Sequence, residues 1–163
     1  MRLAQSQYKR ASGPLIVVVD DSPTVRKIVQ TILEREDYEV LGFADGPELF
    51  RWLVGPDARP PAVLILDIGL PYIDGYELAM RLKKKPLFAQ TVMMMLSRRY
   101  GMIDKLKGYL AGAKIYLTKP MRTQDLLAAV AFCLGRGVQT SASLENSSPP
   151  QEDSRNVGKR RLP

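Results

Sequence analysis

An unbroken apolar run, Ala62–Leu66, ends abruptly on Asp67 and is followed by a turn that contains Gly69 and Pro71. A continuous run of branched apolar residues between turn residues is typical of a parallel strand that is buried on both faces. Asp67 therefore stands at the carboxyl end of a central strand. Ligands bind at that edge of open α/β sheets, although an aspartate there can also serve only to close the turn.

Similar apolar runs recur along the chain, separated by stretches of helical periodicity. The predicted strands are Leu15–Val19, Glu39–Phe43, Ala62–Leu66, Thr91–Leu96 and Lys114–Leu117. Three predicted helices begin at Pro23, with Ser22 as N-cap, at Gly46 and at Gly75. A fourth covers Ile103–Leu110, and a fifth is capped by Thr123. This alternation favours an α/β fold with a five-stranded, doubly wound parallel sheet and helices on both faces. It does not determine the strand order.

Helical spacing places apolar side chains on one face of each helix, where they can pack against the sheet. The inward residues of the first helix are expected to be Val25, Ile28, Val29, Ile32 and Leu33. Those of the last helix are expected to be Leu126, Leu127, Val130, Ala131 and Leu134. Cys133 is the single cysteine, which excludes an internal disulfide, and its place in this series indicates a core residue.

The net charge of +7 suggests nucleic-acid binding, but the charge is concentrated towards the two ends of the chain. The first 14 residues contribute +3, the chain from Gly135 contributes +2, and only +2 remains between them. We expect one domain at 14–135, a disordered basic arm at 1–13, and a disordered tail at 136–163 that is rich in Ser, Pro and charge. We expect such a tail to be too short for a DNA-binding domain, and nucleic acid is not expected as a partner.

Two absences from the sequence exclude whole classes of protein. The chain has no histidine, which excludes histidine catalysis, histidine-ligated metals and an internal phosphohistidine. No apolar stretch approaches the ~20 residues that cross a bilayer. The first 14 residues also lack the apolar segment of a signal peptide. We therefore expect a cytoplasmic protein with no membrane insertion.

Polar residues follow four of the five predicted strands: Asp20 and Asp21, Asp67, Ser97, and Lys119. The carboxyl ends of parallel strands meet at one edge of a sheet, so these residues are expected to become neighbours. Each pair of carboxylates at ~4 Å repels by about 1 to 4 kcal/mol, and a hard cation such as Mg²⁺ relieves that repulsion. Metal, lysine, hydroxyl and carboxylate together suit phosphoryl transfer to a carboxylate nucleophile.

These residues, with LDIGLPYIDG at 66–75 and YLTKP at 116–120, resemble the receiver domain of two-component response regulators. The resemblance covers Leu15 to Leu134 and implies a flavodoxin-like fold with strand order 2-1-3-4-5. Within that family, the chain is similar to single-domain, chemotaxis-type regulators. The run Ile103–Leu117 is also similar to single-domain regulators associated with twitching motility.

The resemblance implies that Asp67 accepts a phosphoryl group from a histidine kinase or a histidine phosphotransfer protein. It also implies a Mg²⁺ ion bound directly by Asp21, Asp67 and the backbone carbonyl of Gly69, and through a water by Asp20. Lys119 would then pair with the phosphoryl oxygens. On this view the chain is no enzyme beyond its own phosphorylation and dephosphorylation.

The resemblance further implies a cis Lys119–Pro120 peptide bond and a switch formed by Ser97 and Tyr116. Phosphorylation would move Ser97 and turn Tyr116 inward, and a downstream protein would contact that face of a monomer or weak dimer. Arg98 departs from the small residue usual in the family, and a cation there could gate the pocket.

Two other functions remain open from the sequence. One is a degenerate receiver that docks without being phosphorylated. The other is a Mg²⁺-dependent phosphatase of the haloacid dehalogenase type, which also uses an aspartate nucleophile at a strand end. That enzyme class needs a second aspartate two residues further on, where this chain has Gly69.

Overall fold

The structure is a computed structural model, and it describes residues 13–98 and 112–136. Its elements are β1 (Leu15–Val19), α1 (Pro23–Glu34), β2 (Glu39–Phe43), α2 (Gly46–Leu53), β3 (Val63–Asp67), α3 (Gly75–Lys83), β4 (Val92–Ser97), β5 (Ala113–Thr118) and α4 (Thr123–Cys133). A short 3-10 turn at Pro86–Phe88, which the sequence did not predict, follows α3. The predicted helix at Ile103–Leu110 and nearly all of the predicted arm and tail lie outside the described residues.

The described strands form one parallel sheet in the order β2-β1-β3-β4-β5. This confirms the doubly wound, flavodoxin-like fold. All five residues of β1 and all five of β3 are buried, as their uninterrupted apolar sequences indicated. The two central strands therefore carry Asp20 and Asp67 to neighbouring positions at the carboxyl edge, where the chain turns away to either face.

Helices cover both faces of the sheet and create two cores. One core joins α2 and α3 to one side of the strands, through Leu49, Leu78 and Leu82. The other joins α1 and α4 to the opposite side, through Leu33 and Leu126. Strand residues alternate between the two cores, so that both faces contribute to burial. Within the described ranges, no helix is both long and apolar enough to cross a bilayer.

Three details of the helices differ from the sequence predictions. Ile28 was expected to be buried but is 49% exposed, because it lies roughly 100° around α1 from the buried Val29. In α4, Ala129 is buried, whereas Ala131, which was expected to face the core, is only partly buried. Thr123 is not the N-cap: the carbonyl of Arg122 already accepts from the amide of Leu126, so Thr123 lies in the first turn.

Candidate functional site

Local hydrogen bonds at the end of β1 give two adjacent aspartates different surroundings, one buried and one exposed. The amide of Asp20 donates to the carbonyl of Phe43, which extends the strand pairing by one residue and keeps Asp20 fully buried. Its Oδ1 accepts from the amide of Ser22, 2.9 Å away, and this bond turns the chain into α1. Ser22 then caps the helix by accepting from the amide of Val25, as predicted. Asp21, between them, is left exposed at the rim.

The turn after β3 is closed tightly behind Asp67. The amide of Gly75 donates to the carbonyl of Ile68, so that the residues between them form a loop with joined ends. A β-carbon at position 75 would lie 2.3 Å from the carbonyl oxygen of Asp67, so only glycine allows this approach. Asp74 caps α3 by accepting from the amide of Glu77. The Asp67 side chain is thereby held at the edge of the sheet, almost fully buried.

Lys119 follows β5 and reaches both buried carboxylates. Its amide donates to the carbonyl of Ser97, which places it level with the end of β4. Its Nζ lies 2.8 Å from Oδ1 of Asp67 and 2.5 Å from Oδ2 of Asp20. The peptide bond between Lys119 and Pro120 is cis. The structure therefore brings together side chains that are 52 and 99 residues apart in sequence.

The site holds more negative than positive charge. Asp20, Asp21 and Asp67 each offer a carboxylate oxygen, and these oxygens lie within 4.8 Å of one another. Burial raises the pKa of Asp20 above its ordinary value, against the opposing hydrogen bonds from Lys119 and from the Ser22 amide. One ammonium group faces three carboxylates, so the donor set suits a hard divalent cation with oxygen ligands.

The remaining predicted site residues lie around this cluster. A β-carbon at Gly69 would lie 3.5 Å from Oδ2 of Asp67, so the backbone of Gly69 passes close to the carboxylate. Ser97 is buried at the end of β4, opposite Thr118 in the sheet. Arg98 is exposed immediately after it, and among the described residues it does not form an ion pair with Asp67.

Tyr116 has a hydrogen-bond partner that the sequence analysis missed. Its hydroxyl donates to the hydroxyl of Tyr76 in the first turn of α3, 2.7 Å away. Tyr76 is buried and Tyr116 is half-buried against the same core. The signal for Tyr76 was present, since it stands three residues before the buried Ala79 in the helical series.

Arg26 of α1 is a second residue that the sequence analysis missed. Its Nη1 donates to the backbone carbonyl of Asp20, 2.5 Å away, and so fixes the backbone under the acidic pair. The sequence pattern predicts only that position 26 is a polar position on an amphipathic helix. Its role depends on the tertiary packing of α1 against the end of β1.

A family model described as "Response regulator receiver domain" matches residues 16–131, which is most of the chain. The chain belongs to the response regulator receiver domain family. This receiver domain is 34% identical over 122 residues to the protein PilG of Pseudomonas aeruginosa, an alignment that covers 75% of this chain and 88% of PilG.

Solved structures of receiver domains share the architecture. A putative response regulator from Chloroflexus aurantiacus superposes with a TM-score of 0.69 at 34% identity, covering 76% of this chain and 99% of that one. The chemotaxis protein CheY4 of Vibrio cholerae gives a TM-score of 0.69 at 27% identity, covering 76% of this chain and 100% of that one. The receiver domain also matches several transcriptional regulators, of whose length it spans about half.

Proposed function

We propose that this receiver domain, residues 14–135, accepts a phosphoryl group on Asp67 and signals through the protein contacts that follow. The observation that carries the proposal is the position of Nζ of Lys119, 2.8 Å from Oδ1 of Asp67 at the edge where two more carboxylates converge. A buried lysine beside a carboxylate and an acidic cluster is the arrangement that phosphoryl transfer requires, because positioning and charge stabilisation supply most of its catalysis.

The phosphoryl donor on this proposal is a phosphohistidine of a partner kinase or phosphotransfer protein, since the chain itself has no histidine. An oxygen of the Asp67 carboxylate forms the new P–O bond. The P–N bond to the donor's imidazole breaks, and its electron pair stays on the imidazole nitrogen. Lys119, already within hydrogen-bond distance of Asp67, neutralises charge on the phosphoryl oxygens as the bond forms.

Asp20, Asp21, Asp67 and the carbonyl of Gly69 are the groups that would hold Mg²⁺. Bound there, Mg²⁺ would offset the carboxylate charge and neutralise phosphoryl oxygens. Asp20 is already committed to Lys119 and to the Ser22 amide, so it serves best as an outer ligand through water. Asp21, exposed at the rim, is suited to direct contact.

Phosphorylation adds roughly two negative charges and three acceptor oxygens at the end of β3. The hydroxyl of Ser97 and the ammonium of Lys119 are the groups that we propose to bond those oxygens. Lys119 can do so only by changing its bonds to the carboxylates. We propose that the face carrying Ser97 and Tyr116 reads out this change and contacts the downstream protein. Arg98, at the rim, is proposed to limit the access of water to the phosphoryl group.

The experiment that tests this function is phosphorylation of the full chain by phosphoramidate and Mg²⁺, followed by intact mass spectrometry. The wild-type chain should gain the mass of one phosphoryl group, and Asp67→Asn should gain none. Asp74→Asn is the matched control, because it removes a carboxylate seven residues away while asparagine still caps α3. It should be phosphorylated as the wild type is.

Two results would contradict the proposal. Equal phosphorylation of wild type and Asp67→Asn would locate the acceptor elsewhere. No phosphorylation of the folded wild-type chain, with or without Mg²⁺, would instead support a receiver that docks without being phosphorylated.

A further inference from the structure

The buried Asp20 is held at every polar group of its backbone and side chain. Its amide donates to the carbonyl of Phe43, and its two carboxylate oxygens accept from the amide of Ser22 and the ammonium of Lys119. Its backbone carbonyl lies just past the last paired residue of β1. Among the described residues, Arg26 supplies the donor to that carbonyl, with Nη1 2.5 Å away. A buried carbonyl needs such a partner.

The arginine side chain passes beside a glycine of the edge strand β2. A β-carbon at Gly42 would lie 3.6 Å from Cδ of Arg26 and 3.0 Å from Nε2 of Gln30, one turn further along α1. Gly42 therefore leaves room for two polar side chains between the helix and the strand. The ion pairs of the described residues do not include Arg26. Its contact with the acidic site is thus through the backbone and not through a carboxylate.

We propose that Arg26 is a positioning residue for Mg²⁺, because it sets the direction of the peptide group between Asp20 and Asp21. The carbonyl of Asp20 and the amide of Asp21 belong to one planar group, so a donor that fixes the first also restricts the second. Asp21 is exposed, and its carboxylate is placed chiefly by its backbone. The inference rests on the proposed function, which assigns both aspartates to the metal.

A positioning role and a purely electrostatic role of Arg26 have opposite consequences. If the guanidinium acted only through its charge, it would repel Mg²⁺, and its removal would raise the affinity for the metal. If it positions the peptide group, its removal leaves a buried carbonyl without a partner and lowers that affinity. Groups that orient metal ligands typically change metal affinity by 10- to 100-fold. Because Arg26 acts through the backbone, we expect the lower end of this range.

The first test is the dissociation constant of Mg²⁺, measured by NMR titration of the full chain. Arg26→Met keeps a long apolar side chain without a donor and should bind Mg²⁺ about ten-fold more weakly than the wild type. Arg26→Lys keeps a charged donor without the planar fork, and should restore binding in part. Lys27→Met is the matched control, since it removes an exposed cation from the same helix. It should bind as the wild type does, within about two-fold.

The second test needs no metal. In metal-free buffer, the carbonyl ¹³C resonance of Asp20 should move upfield in Arg26→Met, because the carbonyl loses its donor. The Ser22 amide, which bonds to the Asp20 side chain, should exchange with water faster. The Glu77 amide makes the same kind of capping bond, to Asp74, and serves as the internal reference. Its exchange should be unchanged.

Three results would overturn the proposal. Equal or tighter Mg²⁺ binding by Arg26→Met would show that Arg26 acts through its charge or not at all. An unchanged carbonyl resonance of Asp20 would show that the peptide group is held by other contacts. Equal acceleration of exchange at Ser22 and Glu77 would show a general loosening of the fold. If the folded wild type binds no Mg²⁺, the metal site of the proposed function is wrong, and the metal-free test alone decides whether Arg26 positions Asp20.

Discussion

Two sets of ion pairs in this receiver domain use the same chemical groups in opposite surroundings. The first, here called the buried cluster, consists of Asp20, Asp67 and Lys119, whose side chains are 0%, 8% and 7% exposed. The second, the surface pairs, consists of Arg59 with Glu39 and Arg81 with Glu77. Those four side chains are 36% to 59% exposed. The two sets therefore carry very different desolvation costs.

Stability alone does not explain the buried cluster, although it is enough to explain the surface pairs. Exposed pairs contribute about 0 to 1 kcal/mol to the free energy of unfolding, and their charges lose little hydration. Buried pairs lose hydration that their attraction recovers only in part, so apolar residues of similar volume are often as stable or more so. Placing two carboxylates and a lysine together at the ends of three parallel strands is therefore an arrangement that function explains better than folding does.

The largest predicted effect comes from Lys119→Met, which leaves two buried carboxylates without their cation. We expect the free energy of unfolding to fall by about 3 to 5 kcal/mol in metal-free buffer, measured by urea denaturation. Lys27→Met, on the exposed side of α1, is the control and should change it by less than about 0.5 kcal/mol. If the two variants lose the same amount, the buried cluster has no special electrostatic role.

The next effect is stabilisation by Mg²⁺. Binding that relieves repulsion among Asp20, Asp21 and Asp67 should stabilise the wild type by about 2.7 kcal/mol at roughly one hundred times the dissociation constant. In thermal unfolding, Mg²⁺ should raise the melting temperature of the wild type but not that of Asp67→Asn. Asp57→Asn, which changes an exposed loop residue, is the control and should show the same rise as the wild type. Identical shifts in wild type and Asp67→Asn would place the metal outside the buried cluster.

Burial should also have a measurable effect in the core beneath α4, at Cys133. Desolvation raises the pKa of this thiol from 9.0 to about 11. The unfolded chain then releases the proton first, so the stability that Cys133 contributes is complete below pH 9 and is lost as the pH rises towards 11. Between pH 9 and pH 11, the free energy of unfolding of the wild type should fall by roughly 1 to 3 kcal/mol more than that of Cys133→Ala, as measured by urea denaturation. Parallel curves for the two chains would contradict this.

The smallest effect is expected at the surface pairs. Arg81→Ala removes a pair between residues four apart on α3, and should reduce the free energy of unfolding by no more than about 0.5 kcal/mol. High salt should abolish that difference, because exposed charges are screened. A loss comparable to that of Lys119→Met would remove the contrast between the two sets.

The fold and the location of the site follow from the sequence because each depends on a local pattern. Apolar runs that stop on Asp20, Asp67 and Ser97 define both the strands and the edge at which they end. The strand order does not follow in this way, since alternation of strands and helices is the same for several orders, and the family resemblance was needed to predict it.

What the sequence did not reveal depends on contacts between distant elements. The bond from Tyr76 to Tyr116 requires that α3 and β5 approach each other, which no periodicity indicates. The exposure of Ile28 depends on which side of α1 packs against the sheet, and Val29 and Leu33 mark that side. The start of α4 at Thr123 is fixed by a carbonyl of Arg122, whereas sequence favours a hydroxyl side chain as the cap.

Asp67, rather than a neighbouring carboxylate, is the residue that we propose receives the phosphoryl group. After treatment with phosphoramidate and Mg²⁺, borohydride reduction converts an aspartyl phosphate to homoserine, which peptide mass spectrometry can locate. We expect homoserine at position 67, with Asp20 and Asp21 unmodified. Homoserine at position 20 or 21, or at no position in a folded chain, would contradict it.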